Sequence, residues 1–110
     1  MTLVYKIMTA EEWQAAVGKG RFEGSAIDLA DGYIHLSTAA QAQETAFKHF
    51  HGQADLVLVT LDVDALSPIK WEPSRGGALF PHLYGPLDTT LALGVKALPL
   101  GSDGAPETGL

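Results

Sequence analysis

The 110 residues contain no cysteine, which excludes disulfides, thiolate zinc sites and thiol nucleophiles together and leaves stability to packing alone. Positive charge is also scarce. Seven Lys and Arg stand against 13 Asp and Glu, for a formal charge of -6, and Lys6, Lys19, Arg21, Lys48, Lys70, Arg75 and Lys96 are scattered singly. A surface of this kind repels phosphate backbones and anionic lipid, so an extended nucleic acid is not expected as a partner. No membrane association is expected either, because the longest apolar stretch, around Leu56 to Leu61, is too short to span a bilayer and the first residues lack the pattern of a signal peptide. The expected location is the cytoplasm, whose reducing conditions suit a chain without thiols.

What remains is the composition of a folded domain, 46% hydrophobic and 18% charged. At this length roughly 65% of the unfolded chain's surface is buried on folding, which calls for one core. The sequence predicts a single α+β domain over residues 1–100 and a flexible tail over 101–110, with no repeat or second domain.

Leu3 to Ile7 reads as a first strand, and Thr9-Ala10-Glu11-Glu12 as a capping box opening a helix to about Val17, stopped by Gly18 and Gly20. Trp13, Ala16 and Val17 are expected on its core face. Residues 21–32 show no periodicity and read as a long connecting loop. Tyr33 to Ser37 alternates, so Ile34 and Leu36 point to the core while Tyr33, His35 and Ser37 share the opposite face. Thr38 to Gln41 is a second capping box, before a helix to about Phe50 with Ala39, Ala42, Ala46, Phe47 and Phe50 inward. Leu56 to Leu61, apolar almost throughout, predicts a central strand buried on both faces. A short strand ends at Pro73, a loop bounded by Pro81 and Pro86 carries Phe80, His82 and Tyr84, and a last strand covers Leu93 to Pro99.

Two segments carry the chemistry. His35, Ser37 and Thr38 lie where a strand enters a helix N-terminus, a place suited to binding ribose, an amide or an anion or to acid–base work; Thr38 also serves as the helix cap. His82 and Tyr84 alternate so that both project to one cavity, with Phe80 as an apolar wall. Glu72 is the best-placed carboxylate, as base or acceptor, and Arg75 the lone cation for a phosphate or carboxylate. No metal site is expected: His49 and His51 point to different sides of a helix, and only a His35, His82 and Glu72 cluster offers a credible ligand set. Gly76 and Gly77 lack the Lys-Ser or Lys-Thr of a phosphate loop, and Ser37 lacks a nucleophile elbow.

Taken together, Val4 to Ile7, Asp31 to Thr38, Trp71-Glu72 and Phe80 to Leu87 resemble the bacterial family called domain of unknown function 952. The resemblance implies a compact ADP-ribosyltransferase-like fold, in which small mixed or antiparallel sheets with two main helices meet around a cleft that holds NAD. It further implies that His35 and Ser37, matching a His-x-Ser strand motif with Leu36 in place of the usual glycine, grip the nicotinamide-side ribose, and that Tyr84 or Phe80 stacks on the nicotinamide. The family pattern of transferases ends in a late glutamate, yet after Tyr84 only Glu107 occurs. The first expectation is therefore a pocket that binds NAD, a nucleotide or a small metabolite without catalysis, through Tyr33, Ser37, Thr38, Arg75, Phe80, His82 and Tyr84. The alternative is an NAD-dependent ADP-ribosyltransferase-like enzyme with His35 and Glu72 catalytic.

Overall fold

Strand β1, Leu3–Thr9, alternates its side chains between two buried regions and runs directly into helix α1, Ala10–Lys19. The computed structural model describes residues 1–110, the side chain of Arg75 excepted. The capping box forms as predicted: Glu12 N–H donates to Thr9 Oγ1 and Thr9 N–H to Glu12 Oε1, each at 3.0 Å. Gly20 ends the helix in the left-handed conformation, φ 84°, which a glycine adopts without the clash a Cβ would cause. Ala16 faces the core and Trp13 packs partly against it, but Val17 is exposed. The segment read as a loop is instead strand β2, Arg21–Phe22, and helix α2, Ala26–Asp31.

The alternating stretch from Tyr33 is split between two sheets. Strand β3 is Ile34–His35 and strand β4 is Ser37–Thr38, with Leu36 between them. Helix α3, Ala39–Phe50, follows, capped by Thr38, whose N–H donates to Gln41 Oε1 at 3.1 Å. Ala42 and Ala46 are buried and Phe50 partly so, while Ala39 and Phe47 face solvent, a narrower apolar face than the sequence suggests. Strand β5, Leu56–Asp62, is followed by β6, Ile69–Pro73, and β7, Leu79–Leu83. The proline-bounded loop is thus corrected to a strand. Its Pro81 lends the sheet a carbonyl, which accepts from Leu36 N–H at 3.1 Å. Strands β8, Leu87–Asp88, and β9, Gly94–Leu98, complete the chain of elements.

All pairings are antiparallel. One sheet runs β4-β1-β5-β9, another β3-β7-β6, and β2 pairs with β8. The α+β class is as expected, with three helices rather than two. Strand β5 is central and buried on both sides, as its composition predicts: Val59 and Leu61 join Val4 and Met8 in one apolar cluster, and Leu56 and Leu58 join Tyr5, Ile7 and Ala46 in the other. Lys6 falls between Val4 and Met8 in this pattern and is only 5% exposed.

The last ten residues, expected as a flexible tail, have partners in the fold. Residues 101–110 fold back on α3: Thr108 N–H and Oγ1–H both donate to Gln43 Oε1 at 3.0 Å, Gly52 N–H donates to Gly104 O at 2.7 Å, and Ala105 and Thr108 are fully buried. Gly104, at φ 82°, admits the His51 ring where a Cβ would stand 2.9 Å from it. Deleting 101–110 is expected to cost about 2 kcal/mol or more, since the two bonds to Gln43 alone contribute about 1 kcal/mol each. Urea unfolding of the truncated chain checks this; unchanged stability would restore the picture of a loose tail.

Candidate functional site

Helix α2 is short, and its sequence shows why it forms. Ser25 precedes it in extended conformation, and Asp28 reaches back so that Oδ2 accepts from Ser25 N–H at 2.9 Å, tying down a free helix amide. The same carboxylate is 1% exposed and gathers further donors. Lys6 Nζ lies 2.9 Å from Oδ2 and 3.1 Å from Oδ1. Oδ1 also accepts from His35 N–H at 3.1 Å and meets His35 Nδ1 at 2.6 Å. Burial pushes the Asp28 carboxyl up, but the His35 bond, the Lys6 charge and the Ser25 amide together outweigh it and hold the group well below the carboxylate range. Burial likewise pulls the Lys6 ammonium down, and Asp28 and then Glu12 act against that pull.

His35 is held at both ends. Its Nε2 lies 2.9 Å from Asp31 Oδ2, at the last residue of α2, so both ring nitrogens face carboxylate oxygens. Only the imidazolium form donates to both.

His82 is held at one end. Strand β7 sets it opposite His35 and beside Lys70 of β6 in register, and its Nδ1 lies 2.8 Å from Glu72 Oε1. The same oxygen accepts from Tyr84 Oη–H at 2.6 Å. These two bonds, the tyrosine's first, hold the Glu72 carboxyl below its ordinary value, and the phenol of Tyr84 is pushed up to about 12 chiefly by the same bond. With Nδ1–H given to Glu72, a neutral His82 carries its lone pair on Nε2. Tyr33 stacks on His82 with centroids 4.0 Å apart and approaches His35 at 4.6 Å and Tyr84 at 5.2 Å. The Tyr33 phenol is raised by burial and by the charges of Asp31, Glu72 and Asp28. Lys70 Nζ lies 4.7 Å from the Tyr84 ring centroid, a cation–π contact on its outer side.

The two histidine rings, 5.6 Å apart, border a cleft of about 570 Å³ bounded by β1, α2, α3 and β7, within the range of small-molecule sites. Of the residues singled out in the sequence, His35, Ser37, Phe80 and His82 line it. Glu72, Tyr33 and Tyr84, expected at the ligand site, are not among its lining residues; Glu72 meets His82 and Tyr84, and Tyr33 stacks on His82. Ser37 Oγ lies 2.9 Å from Thr45 Oγ1 in α3, having left the face of Tyr33 and His35 at the sheet crossing. Thr38 caps α3 outside the cleft. The Arg75 side chain lies outside the described residues. Among those residues no group of three or more histidine, aspartate or glutamate side chains is arranged to hold a metal ion.

Sequence reasoning missed Lys6, Asp28 and Asp31. Asp28 had a signal, the Ser25-x-x-Asp28 spacing of a capping box; Lys6 had one too, a lone charge inside an apolar strand.

Two outcomes follow from the carboxylates. Asp28→Asn leaves Lys6 buried without its counter-charge and is expected to cost about 3–5 kcal/mol, whereas Asp31→Asn, at a half-exposed pair, costs about 1 kcal/mol at most. Because the folded state holds Asp28 below its unfolded value of 3.8, its contribution is complete above that pH and declines below it. Urea melts of both variants from pH 7 to pH 2 should therefore show the Asp28→Asn deficit shrinking only at the acid end; a deficit independent of pH would contradict the ion pair. Stability from the raised Tyr84 phenol is complete below its ordinary value of 10 and declines as pH rises toward about 12. In Glu72→Gln, ultraviolet titration should find that ionisation moved back toward 10, and an unmoved phenol would show that Glu72 is not its acceptor.

Comparison with known proteins agrees with this architecture. The crystal structure of protein CC0527 from Caulobacter crescentus is 56% identical, covers 98% of this chain and 96% of its own, and superposes with a TM-score of 0.95. The solution structure of the same protein, also at 56% identity, covers 99% of this chain and 95% of its own, with a TM-score of 0.88. No curated protein matches. Residues 7–95 match the family described as "Protein of unknown function (DUF952)", and the chain belongs to that family.

Proposed function

We propose that the cleft binds a small, partly planar polar molecule, a nucleotide fragment such as NAD or a metabolite of similar size, without transforming it. One observation carries the reading: His35 and His82, far apart in sequence, border a common hollow with Phe80 and Ser37 in its wall. Phe80 offers a flat apolar surface, Ser37 a hydroxyl and His82 a ring nitrogen not spent on Glu72, a mixture of apolar wall and few polar groups typical of ligand sites. The ADP-ribosyltransferase-like fold belongs to this proposal and is supported by two small sheets meeting at the cleft. A cytoplasmic location is part of it as well, supported by the absence of cysteine.

A second reading, an NAD-dependent ADP-ribosyltransferase-like enzyme, draws on the His35-x-Ser37 motif at the cleft edge. In it Glu72 acts through His82 on a ribose hydroxyl while the nicotinamide bond breaks. The position of Glu72 behind His82 favours binding over turnover, because no carboxylate of β6 reaches the hollow itself.

NAD, ADP-ribose and nicotinamide at millimolar concentration are expected to raise the melting temperature, since a ligand selective for the folded state at 100 times its Kd adds about 2.7 kcal/mol. Phe80→Ala should weaken that shift and Glu72→Gln reduce it. Release of free nicotinamide from NAD would select the enzyme. No shift with any of the three would remove nucleotide binding.

A further inference from the structure

Deepening the reading of the cleft as a small-molecule site, we propose that His35 Nε2 is a carboxylate subsite, occupied in the free protein by the chain's own Asp31. The ligand it takes is an amphipathic monocarboxylate with an apolar body. Asp31 is the replaceable member of the cluster. Its side chain is 45% exposed against 1% for Asp28, it makes one charge-assisted contact at 2.9 Å where Asp28 makes several, and it sits at the C-terminal end of α2, where the exposed carbonyls disfavour a negative charge. Both Asp31 and His35 line the cleft, so a ligand entering it meets this contact.

Charge decides which anion fits. Lys6 and Asp28 cancel each other at 2.9 Å, and the Glu12 carboxylate, also lining the cleft, is engaged by the Thr9 amide. A ligand carboxylate that takes the place of Asp31 repeats the geometry already present on Nε2 and adds a single negative charge to the cleft. A phosphate dianion adds two negative charges beside Asp31 and Glu12 and is disfavoured. The rest of the ligand faces Tyr5, Ile7, Ile27 and Phe80, an apolar surface that an acetate-sized ion leaves uncovered and an aromatic or branched body covers.

Benzoate and inorganic phosphate, titrated by calorimetry into the full chain and its Asp31→Ala and Asp31→Asn variants, test the assignment. Vacating Nε2 is expected to tighten benzoate binding at least tenfold in Asp31→Ala, with a smaller gain in Asp31→Asn and little change for phosphate. Adding His35→Gln should abolish the gain; if that double variant does not fold, the Nε2 resonance of His35 in Asp31→Ala must move on adding benzoate. Equal affinity of wild type and Asp31→Ala for benzoate overturns the subsite, as does a phosphate gain matching that of benzoate. A wild-type response to ADP-ribose without any Asp31→Ala gain removes the carboxylate subsite and leaves nucleotide binding intact. The reverse pair of results upholds the subsite and removes the nucleotide.

Discussion

A single buried carboxylate organises the cleft side of this molecule. Asp28 sits out of water where an unpaired charge would be prohibitive, and it is tolerable only because an ammonium, an imidazole and two backbone amides converge on it. The four donors come from three pieces of chain: Lys6 on β1, Ser25 before α2, and His35, which gives both its amide and its ring, on β3. The requirement to satisfy one anion therefore fixes α2 against the main sheet and sets the plane of the His35 ring. Most of the order at the cleft follows from that requirement rather than from apolar packing, since α2 leaves Ile27 and Leu29 in solvent.

The parts of the fold governed by local rules were legible in the sequence. The Thr9 and Thr38 caps, the helix from Ala39 to Phe50 and the doubly buried strand at Leu56 each announce themselves through capping spacing or periodicity. The parts governed by distant partners were not. Helix α2 has no apolar face for a periodicity to reveal, because its inward side chain is an aspartate whose counter-charge lies on β1. Strand β7 was obscured by Pro81, which normally argues against an interior strand; here the neighbouring β3 is so brief that the proline's carbonyl, rather than an amide, makes the crossing bond. The closing segment reads as polar and glycine-rich, yet Gln43 supplies the acceptor that holds it.

The candidate site was legible only in part for a related reason. Residue types pointed to His35, Ser37, Phe80 and His82, and these line the cleft. The division of labour among them depends on geometry. Glu72 and Tyr84 looked like working groups, but a carboxylate oxygen with two strong donors on it is committed to holding its neighbours. The two histidines, alike in sequence, thus differ chemically: His35 gives both nitrogens to acids, His82 only one. The first imidazole is tied between a buried and an exposed acid, and the second to a single half-exposed one.

Leu36 stands alone between a two-residue ladder on one sheet and a two-residue ladder on the other. Since side chains alternate along extended backbone, adding or losing one residue there would turn His35 away from the hollow or drag Ser37 off α3. Chain length at this crossing is therefore far less negotiable than residue identity.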